Sequence, residues 1–264
     1  MTSGLKRAVP QALRRVMRRA LGGSPNAAPV SVGYEPIPAP HIARVAAELS
    51  DGWKAPGLPK AQLEIVTQQL DAFRRGKAVP VYDVFLRLLE RIPDIDAKSL
   101  LEVGCSSGYY ADVLRLRGRR TIYAGCDFAP EFIALARERV PGADFRVADA
   151  TKLDYADASW DIVVSGGCIL HILDYAAAIR EAARVARSWV LFHRTPVIHT
   201  TPTQHYRKLA YGVACIEIHV NEAELLEHFR AVGLWLVHAE TIEVGGHAPP
   251  GDVQVTKSYL CARR

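Results

Sequence analysis

The stretch Ser99-Leu-Leu-Glu-Val-Gly-Cys-Ser-Ser-Gly108 decides the fold. Leu100, Leu101 and Val103 form a short buried strand, Glu102 stands near its tip, and Gly104 and Gly108 punctuate a turn that opens a helix. Glycine lets the backbone turn sharply and lets a ligand approach closely. Such a run marks a nucleotide-type cofactor site on an α/β sheet, and the acid narrows the choice. A dinucleotide sets its pyrophosphate against the helix N-terminus, where N–H groups and the helix dipole favour negative charge. A carboxylate two residues before the first glycine repels that group and suits a phosphate-free, positively charged nucleoside. An ordinary strand–turn–helix corner remains the plain alternative until the rest of the chain is read.

Downstream the same alternation repeats, as expected of a parallel α/β sheet. Strands are expected at Ser99–Val103, Thr121–Cys126, Asp144–Val147, Asp161–Ser165 and Trp189–His193, with helices from Tyr109 to about Arg117, from Pro130, and across Tyr175–Arg187. Asn221 and Glu224 have the spacing of a capping box for a helix that ends at Gly233. Leu234–Val244 and Val253–Ala262, joined by a Gly/Pro loop, read as an antiparallel hairpin. The expected fold is a seven-stranded, doubly wound α/β sheet, mostly parallel with an antiparallel C-terminal hairpin, plus an N-terminal helical extension.

Acids and small residues recur at the strand ends, where open α/β sheets bind ligands. Asp127 ends the second strand and can accept hydrogen bonds from two ribose hydroxyls. Asp149 and Ala150 follow the third strand, and Ser165 closes the fourth. Together these residues resemble the class I (Rossmann-like) S-adenosylmethionine (SAM)-dependent methyltransferases, in particular the small-molecule type 11/25 group. Glu102, Gly104, Ser106 and Gly108 match the family's acid-x-Gly-x-Gly-x-Gly motif, with Ser106 at the middle glycine. The resemblance covers roughly residues 99–262. It implies SAM as cofactor, Asp127 on the ribose, Phe128 packed on the adenine, and Asp149 with the Ala150 N–H reading the adenine edge.

If the methyl acceptor is a hydroxyl, a base helps, and histidine is the usual one near neutral pH. His171 after the fourth strand is the first candidate and His193 at the end of the fifth the second; each is otherwise a structural histidine. Residues 195–220, with His199, His205, Tyr206, Tyr211 and His219, exceed a usual αβ connection and are expected to help build the acceptor pocket with the N-terminal helices. Arg194 suits a polar or anionic acceptor. Ser165-Gly-Gly-Cys168 is not the Asn/Asp-Pro-Pro-aromatic motif of amino-methylating nucleic-acid enzymes, and no proline precedes Cys168 as it does the cytosine-C5 nucleophile. No carboxylate cluster suggests a metal. The expected activity is methyl transfer to an oxygen or nitrogen of a small molecule or glycan. The alternatives are a non-catalytic SAM-binding module, an RNA or protein methyltransferase and, on fold alone, a dehydrogenase.

Composition bounds the rest. The net charge of +5 is local: Lys6, Arg7, Arg14, Arg15, Arg18 and Arg19 lie in the first 20 residues, which carry no acid. The remainder is near neutral, so a nucleic-acid partner is not favoured. Residues 10–21 fit a cationic amphipathic helix that would touch an anionic membrane surface; the plain alternative is a loosely docked basic tail. With 49% apolar residues and mean hydropathy +0.02, and no apolar run of about 18 residues, a cytoplasmic location is expected, peripheral to the inner membrane surface if residues 10–21 bind there. The five scattered cysteines lack CxxC spacing and fit a reducing compartment. Three parts are expected: a basic tail and Pro/Gly-rich linker over 1–40, a helical cap over 41–97, and the cofactor-binding domain over 98–264. Trp53 is a core plug or part of a lid over the cofactor.

Overall fold

The computed structural model describes residues 31–264; the cationic segment 10–21 lies outside the described residues. In chain order the elements are β1 Ser31–Pro36, α1 Ile42–Glu48, α2 Leu58–Arg74, α3 Pro80–Leu89, β2 Ser99–Val103, α4 Tyr109–Leu116, β3 Ile122–Asp127, α5 Pro130–Arg139, β4 Asp144–Val147, β5 Trp160–Gly166, α6 Tyr175–Val185, β6 Ala186–Ile198, β7 Gln204–Ala210, β8 Val213–Asn221, α7 Glu222–Ala231, β9 Leu234–Val244 and β10 Val255–Arg263.

Strands β4, β3, β2, β5 and β6 lie side by side in parallel. β10 runs antiparallel to β6, and β9 antiparallel to β10. These are the seven expected strands, but among the described residues the sheet has ten. β6 runs on past His193, and its last residues, Val197 and Ile198, pair in parallel with Val220 and Asn221 of β8. β7 is antiparallel to β8, and β1 to β7.

The appended strands correct two expectations. Residues 31–36, read above as linker, form β1. A proline-flanked stretch can do so because β1 is an edge strand, where a missing N–H costs no ladder bond. The long connection after β6 is a hairpin, closed by Tyr211 (φ 50°) and Gly212 (φ 82°). Positive φ at both central residues is the turn that matches strand twist. The cap of α7 is half the expected box. Asn221 Oδ1 accepts from the N–H of Ala223 (3.0 Å) and of Glu224 (3.4 Å). The Glu224 carboxylate accepts from the Thr203 hydroxyl instead of reaching back, and Thr203 Oγ1 accepts the Asn221 N–H at 3.0 Å.

Successive strand residues face opposite sides, so the apolar run of β2 feeds two cores. Leu101 and Val103 pack with Ile179 and Ala182 of α6 and with Leu225 and Phe229 of α7. Leu100 faces the other way, into a core shared with Phe73 of α2, Phe85 of α3, Ile162, Leu191 and Leu260. The helices before residue 97 therefore complete one face of the sheet. Phe85, fully buried, lies 4.4 Å from the Tyr110 ring, centroid to centroid. Phe85→Ala is expected to lower unfolding stability by about 3–5 kcal/mol, in one urea transition seen alike by far-UV circular dichroism and tryptophan fluorescence. A loss under about 1 kcal/mol, or two separate transitions, would mean the helices fold apart from the sheet.

Candidate cofactor and acceptor site

A cavity of about 1970 Å³ opens at the carboxyl ends of β2, β3, β5 and β6. That exceeds the roughly 300–1,000 Å³ of a usual small-molecule site, so two molecules fit together. One part of the wall is Gly104, Ser106, Asp127, Phe128, Asp149 and Ala150; another is Trp53, His171, Arg194 and Tyr211.

Where the backbone donors of the β2–α4 turn go decides which nucleotide it suits. The N–H groups of Gly104 and Cys105 donate to the Cys126 carbonyl at 2.8 and 3.0 Å, and that of Gly108 to the Cys105 carbonyl at 2.9 Å. The Ser106 N–H donates to Asp127 Oδ2 at 2.9 Å. Four donors of the turn are thus taken by the protein, one of them by a carboxylate. Ser106 takes the left-handed backbone (φ 52°) of the glycine it replaces, and its hydroxyl bonds Gln62 of α2. Gly104 is required by close packing: a Cβ there would lie 2.6 Å from Cys168 Cβ. One at Gly108 would lie 2.7 Å from the Phe145 ring.

The second oxygen of Asp127 accepts from the Ala129 N–H at 3.0 Å. A carboxylate has about four lone-pair sites, so two backbone bonds leave capacity for a vicinal diol in the cavity. Burial raises the Asp127 pKa and the Ala129 and Ser106 N–H bonds oppose it. Phe128 is exposed at the mouth, with Lys54 Nζ 5.0 Å from its ring centroid. Asp149 holds its own turn, Oδ1 accepting from the Thr151 N–H and hydroxyl at 2.8 Å each; its other oxygen takes no such bond. Ser165 is buried with an unpartnered hydroxyl and is not part of the cavity wall.

Glu102 lies just behind the wall. It is 1% exposed, accepts from the Tyr123 hydroxyl, and its Oε1 is 2.6 Å from where a Cβ on Gly166 would be. Burial pushes its pKa up to about 8, opposed by the Tyr123 bond and reinforced by the Asp127 charge. A cation seated over Gly104 and Gly166 stabilises the ionised form.

Of the histidines named from sequence, only His171 lines the cavity. Its Nδ1 is 2.7 Å from the Ile216 carbonyl, which fixes that nitrogen as the donor and leaves Nε2 with a lone pair. Burial, then Lys208, lowers its pKa to about 3, so the ring stays neutral. The Trp53 ring packs on it, centroids 4.6 Å apart, making Trp53 a wall of the cavity. The reading of His193 as second base is corrected. Its ring is sealed in the core, 1% exposed, between Phe85 and Tyr110, with Nδ1 2.8 Å from Ser258 Oγ. His199 and His219 are tied to Glu222 and Glu217. Gln62 and Lys208 were not legible as site residues: Gln62 is one polar residue in an amphipathic helix, and Lys208 is an inward-facing cation in a strand.

Glu102 titrates in an accessible range, so cofactor affinity should depend on pH. A cation lowers its pKa from about 8, so binding releases a proton and strengthens as pH rises from 6 towards 8. Calorimetry of S-adenosylhomocysteine binding in buffers of different ionisation enthalpy should show proton release at pH 7 that Glu102→Gln abolishes. Equal release in the variant would remove Glu102 from cofactor recognition.

Known proteins agree with this geometry. Residues 101–192 match the family model described as "Methyltransferase domain". A Mycobacterium tuberculosis protein named "Probable S-adenosylmethionine-dependent methyltransferase" is 37% identical over 105 residues, 39% of this chain and 38% of the relative. A Serratia marcescens malonyl-[acyl-carrier protein] O-methyltransferase is 32% identical over 105 residues, 40% of each. The chain thus spans about two fifths of the length of these curated relatives. The crystal structure of the Burkholderia thailandensis 1,6-didemethyltoxoflavin-N1-methyltransferase shares the fold at TM-score 0.53 and 16% identity, over 88% of this chain and 93% of that one. Residues 101–192, which carry Glu102, the glycine turn and Asp127, are thus similar to the methyltransferase domain of SAM-dependent enzymes.

Proposed function

We propose that the chain transfers a methyl group from SAM to an oxygen or nitrogen atom of a small molecule, with His171 receiving the proton of a hydroxyl acceptor. The observation that carries this reading is the pinned His171 ring: Nδ1 held by the Ile216 carbonyl, Nε2 left to the cavity. SAM supplies an already activated methyl group. The protein's part is therefore to align the acceptor, exclude water and take up one proton.

Nε2 accepts a hydrogen bond from the acceptor hydroxyl or amine and so orients it. A hydroxyl that gains a methyl becomes a strongly acidic oxonium, so even an imidazole of lowered pKa takes its proton; an amine is oriented by the same bond and gives its proton to solvent. The neutral ring keeps this role across physiological pH. Trp53 and Tyr211 support the exclusion of water, since both line the same cavity. The 1,6-didemethyltoxoflavin-N1-methyltransferase named above, which shares the fold, supports a small-molecule acceptor by analogy.

The test is a metabolite screen with isotopically labelled methyl-SAM, followed by kinetics on the acceptor it finds. His171→Ala should leave S-adenosylhomocysteine affinity within about twofold while kcat falls about 10²–10⁴-fold. Unchanged kcat at saturating acceptor would remove His171 from the reaction. Cofactor binding without label transfer to any small molecule would leave a SAM-binding module instead.

A further inference from the structure

β6 is not a regular strand. Its pairing with β10 shifts register beside Ser258: Phe192 stands opposite Tyr259 and Thr195 opposite Lys257, so His193 and Arg194 share one partner residue. Ser258 Oγ serves both, bonding His193 Nδ1 at 2.8 Å and accepting the Arg194 N–H at 3.4 Å. Arg194 has φ 61°, in the left-handed region that a side chain of its size rarely adopts. A β-bulge of this kind re-aims a side chain, and such bulges are common beside active sites. Here it turns an arginine into the cavity at the carboxyl end of the sheet.

The guanidinium packs along the backbone after β5. Gly167 lies alongside it, and a Cβ there would be 3.7 Å from Arg194 Cβ and 3.8 Å from its Cζ and Nε. The guanidinium has five N–H donors. Among the described residues its side-chain hydrogen bond is to the Tyr109 hydroxyl, 3.4 Å from Nη1. Two cations of the cavity wall are withdrawn from solvent, and they differ. Lys208 is committed to Glu217 and to Ser31 Oγ. Arg194 has no carboxylate within ion-pair distance among the described residues. A strained backbone and an unpaired, partly buried charge are both costly, and a bound anion offsets the second.

We infer that Arg194 anchors an oxyanion, a carboxylate or phosphate, on the methyl acceptor. This rests on the methyl-transfer reading above. It makes Arg194 a specificity residue, close enough to Glu102 that its charge acts on that carboxyl. Charge sorts the two ligands: the acids Glu102 and Asp127 favour the cationic cofactor, and the lone guanidinium favours an anionic acceptor. Trp53 and Tyr211, in the same wall, suit an unsaturated or aromatic body on that acceptor.

Benzoate, phenyl phosphate and benzamide are suitable probes, titrated into the S-adenosylhomocysteine-saturated protein by ligand-observed NMR. Benzoate or phenyl phosphate should bind about tenfold or more tightly than benzamide, and the tighter of the two anions gives the acceptor's class. Arg194→Gln should abolish that preference while S-adenosylhomocysteine and methylthioadenosine bind as before. Arg194→Lys, which keeps the charge but not the fork, should retain a weakened preference and guards against a folding defect in the first variant. Three results would overturn the inference: no preference for the anions in the natural protein, a preference that survives Arg194→Gln, or loss of S-adenosylhomocysteine affinity with methylthioadenosine unaffected. The last would assign Arg194 to the cofactor's own carboxylate. Failure of the natural protein to bind S-adenosylhomocysteine at all would instead remove the methyl-transfer reading, and with it the acceptor that the inference concerns.

Discussion

One carboxylate ties the site together. Asp127 reaches from the end of β3 to the N–H of Ser106 in the neighbouring turn and to that of Ala129 at the start of α5. Each is a charge-assisted bond at a half-buried position, the stronger class of hydrogen bond. With Gly104 and Cys105 already bonded to the Cys126 carbonyl, the turn is fixed before any ligand arrives. Asp127 still has negative charge and free lone pairs to offer a ligand. That suits a nucleoside with a free diol and a positive charge.

The rest of the chain converts an open sheet edge into a closed cavity. α2 contributes Gln62 against Ser106, the segment before it contributes Trp53 against His171, and the β7–β8 hairpin contributes Tyr211 and the Ile216 carbonyl. The β6 bulge adds Arg194 from the sheet itself. These pieces come from parts of the chain far apart in sequence, so the acceptor side exists only in the folded protein. The cofactor side is nearly local to β2, β3 and β4.

That difference explains what the sequence could tell. Glu102, Gly104, Gly108, Asp127 and Asp149 sit at strand ends at regular spacing, and strand alternation with helices places strand ends without any knowledge of long-range contacts. The acceptor side depends on packing. His171 and His193 look alike in sequence, each after an apolar strand, yet one faces the cavity and the other is sealed between Phe85 and Tyr110. Their fates are set by a short 3-10 turn at Ile169–His171 in one case and by a bulge in the other. The hairpin was hidden because Lys208 interrupts the apolar face of β7 and Tyr211-Gly212 is not the usual Asn-Gly signal. β1 was hidden because Pro36 and the prolines around it read as linker, and only pairing with β7 makes it a strand.

The most direct test of the central claim is calorimetric titration of the folded chain with S-adenosylhomocysteine and, separately, with NAD. An acidic turn of this kind should bind S-adenosylhomocysteine and show no heat with NAD. Binding of NAD, or silence towards S-adenosylhomocysteine at millimolar concentration, would contradict it.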